Sequence, residues 1–344
     1  MGVAIKELLT HTDASLDQLQ GKIVAVDAMN MLYQFLTTIR QHDGTPLKDH
    51  NGNITSHLTG LFARVTKLME KGIKLAFVFD GEMPKLKLEE RKRRDNLKNE
   101  ALASYQKAEE EKDVEGMKKY AGRSTRITKE ILQESKDLLS ALGIPIVQAP
   151  SEGEAQAAFM VAEGDCDYVA SQDIDCIIYG APKVVRNLSL SQKRKKVNAL
   201  TYKVVMPEIM KLNVILKELD LTLDQVRVLS ILVGTDFDVG GIKGIGPKKG
   251  LALVREHGED FEALFEQVKF AESFPVGWKA VFDTIKDMPT TKEYELEWKD
   301  VDKDKIIDLL VTQHDFSKER VFDKLESLEK NRLKSQQTAL GKFF

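Results

Sequence analysis

Four short apolar runs, each leading into an acid-bearing turn, constrain the fold of this chain more than any other feature. They are KIVAVDA (22–28), LAFVFDG (75–81), IPIVQAP (144–150) and YVASQD (168–173). These runs are close to continuous Val, Ile, Leu, Phe and Ala rather than alternations of apolar and polar residues, which is the pattern of strands covered on both faces. Helix-period stretches fall around them at 29–40, 56–71, 125–141 and 152–162. Strand and helix in repetition predict an α/β fold: a parallel central sheet with helices on both faces.

The length of 344 residues, with 42% hydrophobic and 31% charged residues, permits one or two compact units with a sizeable core. No apolar run is long enough to cross a bilayer, so no membrane partner is expected. The opening MGVAIKELLT does not read as a secretory signal, and two cysteines, Cys166 and Cys176, are too few for a disulfide scaffold. A reducing, cytoplasmic location is the expectation. The net charge of −3 does not exclude a nucleic-acid partner, because acids engaged by cations no longer count against one.

The strand–helix rhythm breaks at 84–121, a stretch rich in Lys, Glu and Arg that reads as a helical arch projecting from the core. The stretch at about 222–257, around GIKGIGPKKG, reads as helical and closes a core over 1–257. Short helices packed on that core are expected over 258–332, and 335–344 reads as a tail.

The position of the acids is the sharpest chemical signal. Asp27 and Asp80 close the first two runs, Glu152 and Glu154 follow the third, and Asp173 and Asp175 follow the fourth. In an open parallel sheet, ligands bind outside the carboxyl ends of the strands, so these acids share one rim. Asp165 and Asp167 precede the fourth run and belong to the opposite rim. Carboxylates crowded into one cleft repel one another. Divalent cations relieve that repulsion, and an all-oxygen donor set without His or Cys favours Mg²⁺ or Mn²⁺ over Zn²⁺. So many acids suggest two ions, the arrangement of phosphodiester cleavage. Taken singly, each acid could also be a turn residue or helix cap, and Ser151 with Glu154 fits a capping box.

Within the arch, Lys87, Arg91, Arg94 and Lys98 form one helical stripe suited to phosphate, although a solvated face paired with Glu90 has the same spacing. In GIKGIGPKKG, Pro247 follows Gly246 where a phosphate-binding P-loop needs Lys. A Gly-Ile-Gly turn and a Pro-started helix flanked by Lys243, Lys248 and Lys249 suit one strand of a phosphate backbone instead. Asp236, upstream, is a candidate seventh acid. In the tail, Leu340, Phe343 and Phe344 make one apolar helical turn, the form of a docking peptide.

Together MGV at the start, VDAMNMLYQFL, TSHLTGLF, FVFDG, SEGEAQ, ASQDID, GTDF, GIKGIGPKK and the terminal QTALGKFF resemble the flap endonucleases, structure-specific 5′ nucleases, in particular the archaeal type. The resemblance covers essentially the whole chain. It implies two Mg²⁺ ions, replaceable by Mn²⁺, on Asp27, Asp80, Glu152, Glu154, Asp173, Asp175 and Asp236. It implies catalytic roles for Lys87 and Arg94 and base stacking by Tyr33; with the stripe and the glycine turn, DNA contacts are also expected from Gly2, Arg91, Lys98, Lys243, Gly244, Gly246, Lys248 and Lys249. A monovalent cation such as K⁺ at the helix-hairpin-helix and a sliding-clamp-binding box on Gln337, Leu340, Phe343 and Phe344 are implied too. The implied activity is cleavage of 5′ flaps, with gapped or nicked duplex as related substrates and an associated 5′–3′ exonuclease, by a monomer acting in Okazaki-fragment maturation and repair. The alternatives are a non-catalytic junction-binding protein recruited by the clamp and an aspartyl-nucleophile phosphatase; the second lacks an acid two positions after Asp27, where Met29 stands.

Overall fold

The computed structural model describes residues 3, 5–188, 193–195 and 202–340. In chain order its strands and helices are β1 (Thr12–Asp13), β2 (Ile23–Asp27), α1 (Ala28–Thr38), α2 (Ser56–Glu70), β3 (Lys74–Phe79), α3 (Leu88–Glu110), α4 (Val114–Ala121), α5 (Lys129–Ala141), β4 (Ile146–Gln148), α6 (Gly153–Ala162), β5 (Tyr168–Ala170), α7 (Asp175–Ile178) and β6 (Lys183–Arg186). They continue with β7 (Lys193–Lys195), β8 (Tyr202–Val204), β9 (Glu208–Lys211), α8 (Leu212–Leu219), α9 (Leu223–Val233), α10 (Pro247–His257), α11 (Phe261–Gln267), α12 (Phe270–Ser273), α13 (Trp278–Lys286), α14 (Lys303–Ile307) and α15 (Lys318–Leu340).

The sheet order is β1-β9-β6-β5-β2-β3-β4. The central pairs β2–β3, β2–β5, β3–β4 and β5–β6 are parallel, as the apolar runs predict. The sheet is nevertheless mixed, because β9 joins β6 antiparallel and β1 joins β9 antiparallel. β1 at the sheet edge and β9 beside it are short and interrupted by polar residues, so their sequences carry no strand signal of the kind seen in the four runs.

The continuous runs have the expected cause. Alternate residues of a strand point to opposite faces, and both faces are covered. Leu75, Phe77 and Phe79 of β3 enter one core with α1, α2 and α5, while Ala76 and Val78 enter the other with α6, α9 and α10. Burying each large side chain of this kind stabilises the fold by roughly 1.5–3 kcal/mol relative to exposure.

The 84–121 segment does form helices, α3 and α4 packed on each other. Along α3 the buried residues are only Glu90, Ala101 and Ala108. Asp113 turns the chain between the two helices by accepting a hydrogen bond from the Gly116 N–H at 3.0 Å. The C-terminal helices tie back to the other face: Glu70 of α2 accepts from Lys324 and Ser327 of α15, both at 2.6 Å. Among the described residues no helix is long and apolar enough to cross a membrane.

Candidate active site

The parallel register brings the carboxyl ends of β2, β3 and β5 side by side, and the acids follow. Asp27 is the last residue of β2; its carboxylate also accepts from the Asn30 N–H at 3.0 Å, so the residue caps α1 as well as facing the rim. Asp80 follows β3 and accepts from the Gly153 N–H at 2.8 Å. A Cβ at position 153 would stand 2.7 Å from that same Asp80 oxygen, so any other residue there would have to displace the carboxylate. Glu152 is the N-cap residue of α6. The capping-box alternative for Ser151 and Glu154 is not what forms: Ser151 donates to the Glu82 carbonyl at 2.8 Å, and Glu154 accepts from Ser171 at 2.7 Å. Asp175 opens α7 and accepts from the Val3 N–H at 2.8 Å, which ties the start of the chain to the site. Asp173 accepts from the Asn30 side chain at 3.0 Å. Asp236, from the loop after α9, completes the group.

All seven acids line one cleft of about 830 Å³. Their mutual repulsion is legible in the titration of the most buried members. Burial, then the charge of Asp80, pushes Asp27 up to about 8. Burial, then Glu152, raises Asp80 to about 6. Burial raises Asp175 to about 6 against the opposing Val3 hydrogen bond, with Asp236 adding to the rise. Burial, then Asp175, Asp27 and Asp173, holds Glu154 well above its ordinary range. Asp167, by contrast, sits at the opposite rim, where it accepts from Lys22 and from the Ile23 N–H at 2.9 Å each.

The base of the arch roofs the cleft. Lys87 Nζ stands 2.7 Å from Glu152 and 3.5 Å from Asp236, above the Phe237 ring at 5.0 Å. Burial alone would lower the Lys87 ammonium; Glu152 and Asp236 more than offset it, and the net shift is upward. Arg94 Nη2 donates to Asp236, and its Nε donates to Glu90 at 2.7 Å. Lys98 also lines the cleft and lies over the half-exposed Tyr33 ring at 5.9 Å. Arg91 does not: it is exposed and only 3.9 Å from Asp95, so the fourth member of the stripe is a surface residue, and Arg93 lines the cleft in its place. The side of α3 that meets the cleft carries Arg94, Leu97, Lys98 and Ala101, and Arg91 falls at its margin.

Lys243, Gly244 and Gly246 lie apart from the cleft, in the turn between the packed helices α9 and α10, and Lys248 and Lys249 lie in the first turn of α10. Gly244 there has φ +83°, a conformation that favours glycine. Gly246 is the N-cap of α10 and Pro247 its first residue, with all three lysines exposed. Gly2, Phe343 and Phe344 lie outside the described residues; Gln337 and Leu340 fall in the last turns of α15.

Sequence reasoning missed Asn30, Ser171 and the buried role of Glu90. Asn30 stands three residues after Asp27, the spacing of a first helical turn, which was the available signal. It also missed that buried Cys176 packs directly behind the acids; burial, then Glu154, raises its thiol far above the ordinary range, so it stays protonated and does not line the cleft.

The donor set is one that hard divalent cations take: carboxylate oxygens, several held protonated or paired for want of a countercharge. Among the described residues no three such groups already stand as a closed cation cage; Lys87 and Arg94 occupy the spaces between acids and supply the neutralisation. Above the acids, Tyr33, Met29, Leu97 and Tyr120 give the cleft apolar walls among Lys and Arg side chains. Aromatic faces beside cations suit a single nucleic-acid strand, bases on the rings and phosphates on the charges.

Comparison with known proteins agrees with this geometry. The XPG N-terminal domain family matches residues 1–101 and the XPG I-region family matches residues 143–236. The chain is 46% identical over 344 residues to Flap endonuclease 1 of Pyrococcus furiosus, covering 100% of this chain and 99% of the relative. It is 44% identical over 333 residues to Flap endonuclease 1 of Hyperthermus butylicus, covering 96% and 95%. Among solved structures, flap endonuclease-1 from Methanococcus jannaschii superposes with a TM-score of 0.77 at 38% identity, covering 97% of this chain and 100% of that one. The catalytic core of Rad2 in complex with DNA substrate shares the fold, with a TM-score of 0.68 at 24% identity and coverage of 95% and 100%. The chain belongs to the flap endonuclease family of XPG-type nucleases.

Proposed function

We propose that this protein is a divalent-cation-dependent, structure-specific endonuclease that cuts one strand of branched DNA where a 5′ flap meets duplex. The observation that carries this reading is the convergence of seven acids from separate elements into one cleft roofed by Lys87 and Arg94. Two Mg²⁺ ions, with Mn²⁺ able to substitute, supply charge neutralisation and Lewis acidity when held by Asp27, Asp80, Glu152, Glu154, Asp173, Asp175 and Asp236.

The chain's own residues do the rest. Lys87 and Arg94 exchange their carboxylate partners for the scissile phosphate and offset the charge that builds on it as water attacks in line. The products are a 5′-phosphate and a 3′-hydroxyl. Tyr33 stacks on a base next to the cut, with Lys98 above it. The cleft under the arch accommodates a single strand, so selection is by structure rather than sequence. Lys243, Lys248, Lys249 and the Gly244–Gly246 turn would grip the duplex backbone, and that turn would hold a monovalent cation such as K⁺, which would add positive charge toward the phosphates. Gly2, which precedes Val3 in the chain, is read as a further DNA contact.

The function extends to Okazaki-fragment maturation and repair on chromosomal DNA inside the cell, with 5′–3′ exonucleolysis of gapped or nicked duplex, by a monomer. Gln337, Leu340, Phe343 and Phe344 are its docking segment for a sliding clamp. The test is a labelled 5′-flap duplex incubated with Mg²⁺ or with EDTA and mapped at nucleotide resolution. Cuts at the junction only with Mg²⁺ support the reading. Binding without products in either condition supports the non-catalytic junction binder.

A further inference from the structure

We propose that Glu90 is a positioning residue for the cleavage reaction, holding Arg94 by its Nε edge so that the guanidinium's outer edge faces the scissile phosphate. This inference rests on the nuclease reading above and adds to it a residue that touches neither substrate nor cation.

Glu90 is out of character for its helix. Glutamate is almost never buried unless paired, and α3 is a charged helix with little surface to bury. Yet Glu90 is only 6% exposed. Its burial is bought by two neighbouring guanidiniums. Oε1 accepts from Arg94 Nε at 2.7 Å and from Arg93 Nη2 at 2.8 Å, and Oε2 accepts from Arg93 Nε at 2.6 Å. Both arginines therefore present their Nε side to the same carboxylate.

The geometry has a consequence for Arg94. A guanidinium is planar, so fixing Nε fixes the plane and aims the Nη atoms. In this structure that outer edge reaches Asp236. When Asp236 turns to a cation, an unclamped Arg94 is a long, only partly buried side chain free to leave; a clamped one stays with its outer edge over the cleft. Arg93 keeps the clamp from cancelling the charge: one carboxylate shared by two guanidiniums leaves the group net positive toward the strand. A plain i,i+4 helix pair does none of this, since exposed pairs contribute little and fix no orientation.

The test compares single-turnover cleavage of a 5′ flap by the wild-type chain, Glu90→Ala, Glu90→Gln, Arg94→Ala and the Glu90→Ala/Arg94→Ala double variant, with flap affinity and thermal unfolding measured for each. Loss of a supporting partner of this kind costs about 10- to 100-fold. We expect that loss in the rate for Glu90→Ala, a smaller loss for the isosteric Glu90→Gln, affinity changed far less than rate, and no further loss when Glu90→Ala is added to Arg94→Ala. The proposal is overturned if Glu90→Ala cleaves at the wild-type rate, or if its loss persists in full in the Arg94→Ala background, which would mark a structural role. A wild-type chain that fails to cut flaps at all sinks the nuclease reading itself; one that cuts, and is impaired by Arg94→Ala but not by Glu90→Ala, sinks only this inference.

Discussion

Lys87 Nζ lies 2.7 Å from Glu152 Oε2, so a cation from the base of the arch is paired with an acid from the rim of the sheet. The pairing joins the two halves of the site that are separate in sequence. It also shows what a substrate must do on arrival: the ammonium has to change partners from carboxylate to phosphate. Replacing Lys87 by Ala removes a charge aimed at the developing oxyanion, and such losses cost about 10²–10³-fold in rate. Single-turnover cleavage by Lys87→Ala is expected to slow by that order while flap affinity changes little. A variant that binds poorly but cleaves normally once bound would contradict the assignment.

The raised acids make stability depend on pH and cation together. Asp27 titrates at about 8 in the folded chain against 3.8 for the free side chain. Across that window the folded state holds a proton the unfolded chain has released, so this contribution to stability falls as pH rises. A bound cation favours the ionised carboxylates and reverses the loss. Thermal unfolding in EDTA is therefore expected at lower temperature near the top of the window than near neutrality, and Mg²⁺ is expected to raise Tm more at the higher pH. A pH-independent Mg²⁺ effect would count against cations binding to these acids.

Asp49 has the opposite sign. Burial would raise its carboxyl, but hydrogen bonds from Asn53 and His314 outweigh it and hold Asp49 at about 2. His314 Nδ1 stands 2.9 Å from it, which links the loop before α2 to the segment before α15. A depressed folded value stabilises above the unfolded value of 3.8 and is lost as pH falls through about 2. Acid unfolding followed by circular dichroism should show wild type losing stability across that interval, and Asp49→Asn, already less stable near neutrality, losing less.

The exposed lysines at the start of α10 are expected to contact duplex and not chemistry. Lys248→Ala should weaken binding of duplex-containing DNA and reduce the slope of log affinity against log salt by about 1, with the single-turnover rate at saturation unchanged. A loss of rate at saturation would instead place this turn in the reaction.

Much of the fold was legible because two-sided burial writes itself into sequence as unbroken apolar runs. β2 to β5 and their acids were found that way, and Asp167 was assigned to the opposite rim by position alone. The short strands β1 and β9 were not legible, because strands of this kind are made by their partners rather than by their own residues. Asp236 was the acid the sequence could propose but not place; a long-range pairing with Arg94 brings it in. Arg91 stands outside the cleft because ideal helical spacing says which residues share a stripe, not how that stripe is turned toward the core. Glu90 was legible as an i,i+4 partner and illegible as a buried one, since burial on a charged helix depends on what the helix meets.

Asp173 offers the most direct measurement of all. Its carboxylate is held by Asn30 within the cleft at 3.0 Å, and Asp173→Ala removes a donor without disturbing the roof or the duplex-facing lysines. Flap binding close to wild type with cleavage abolished in Mg²⁺ is the expected result; wild-type turnover by this variant would mean that the assembled acids are not where the phosphodiester is cut.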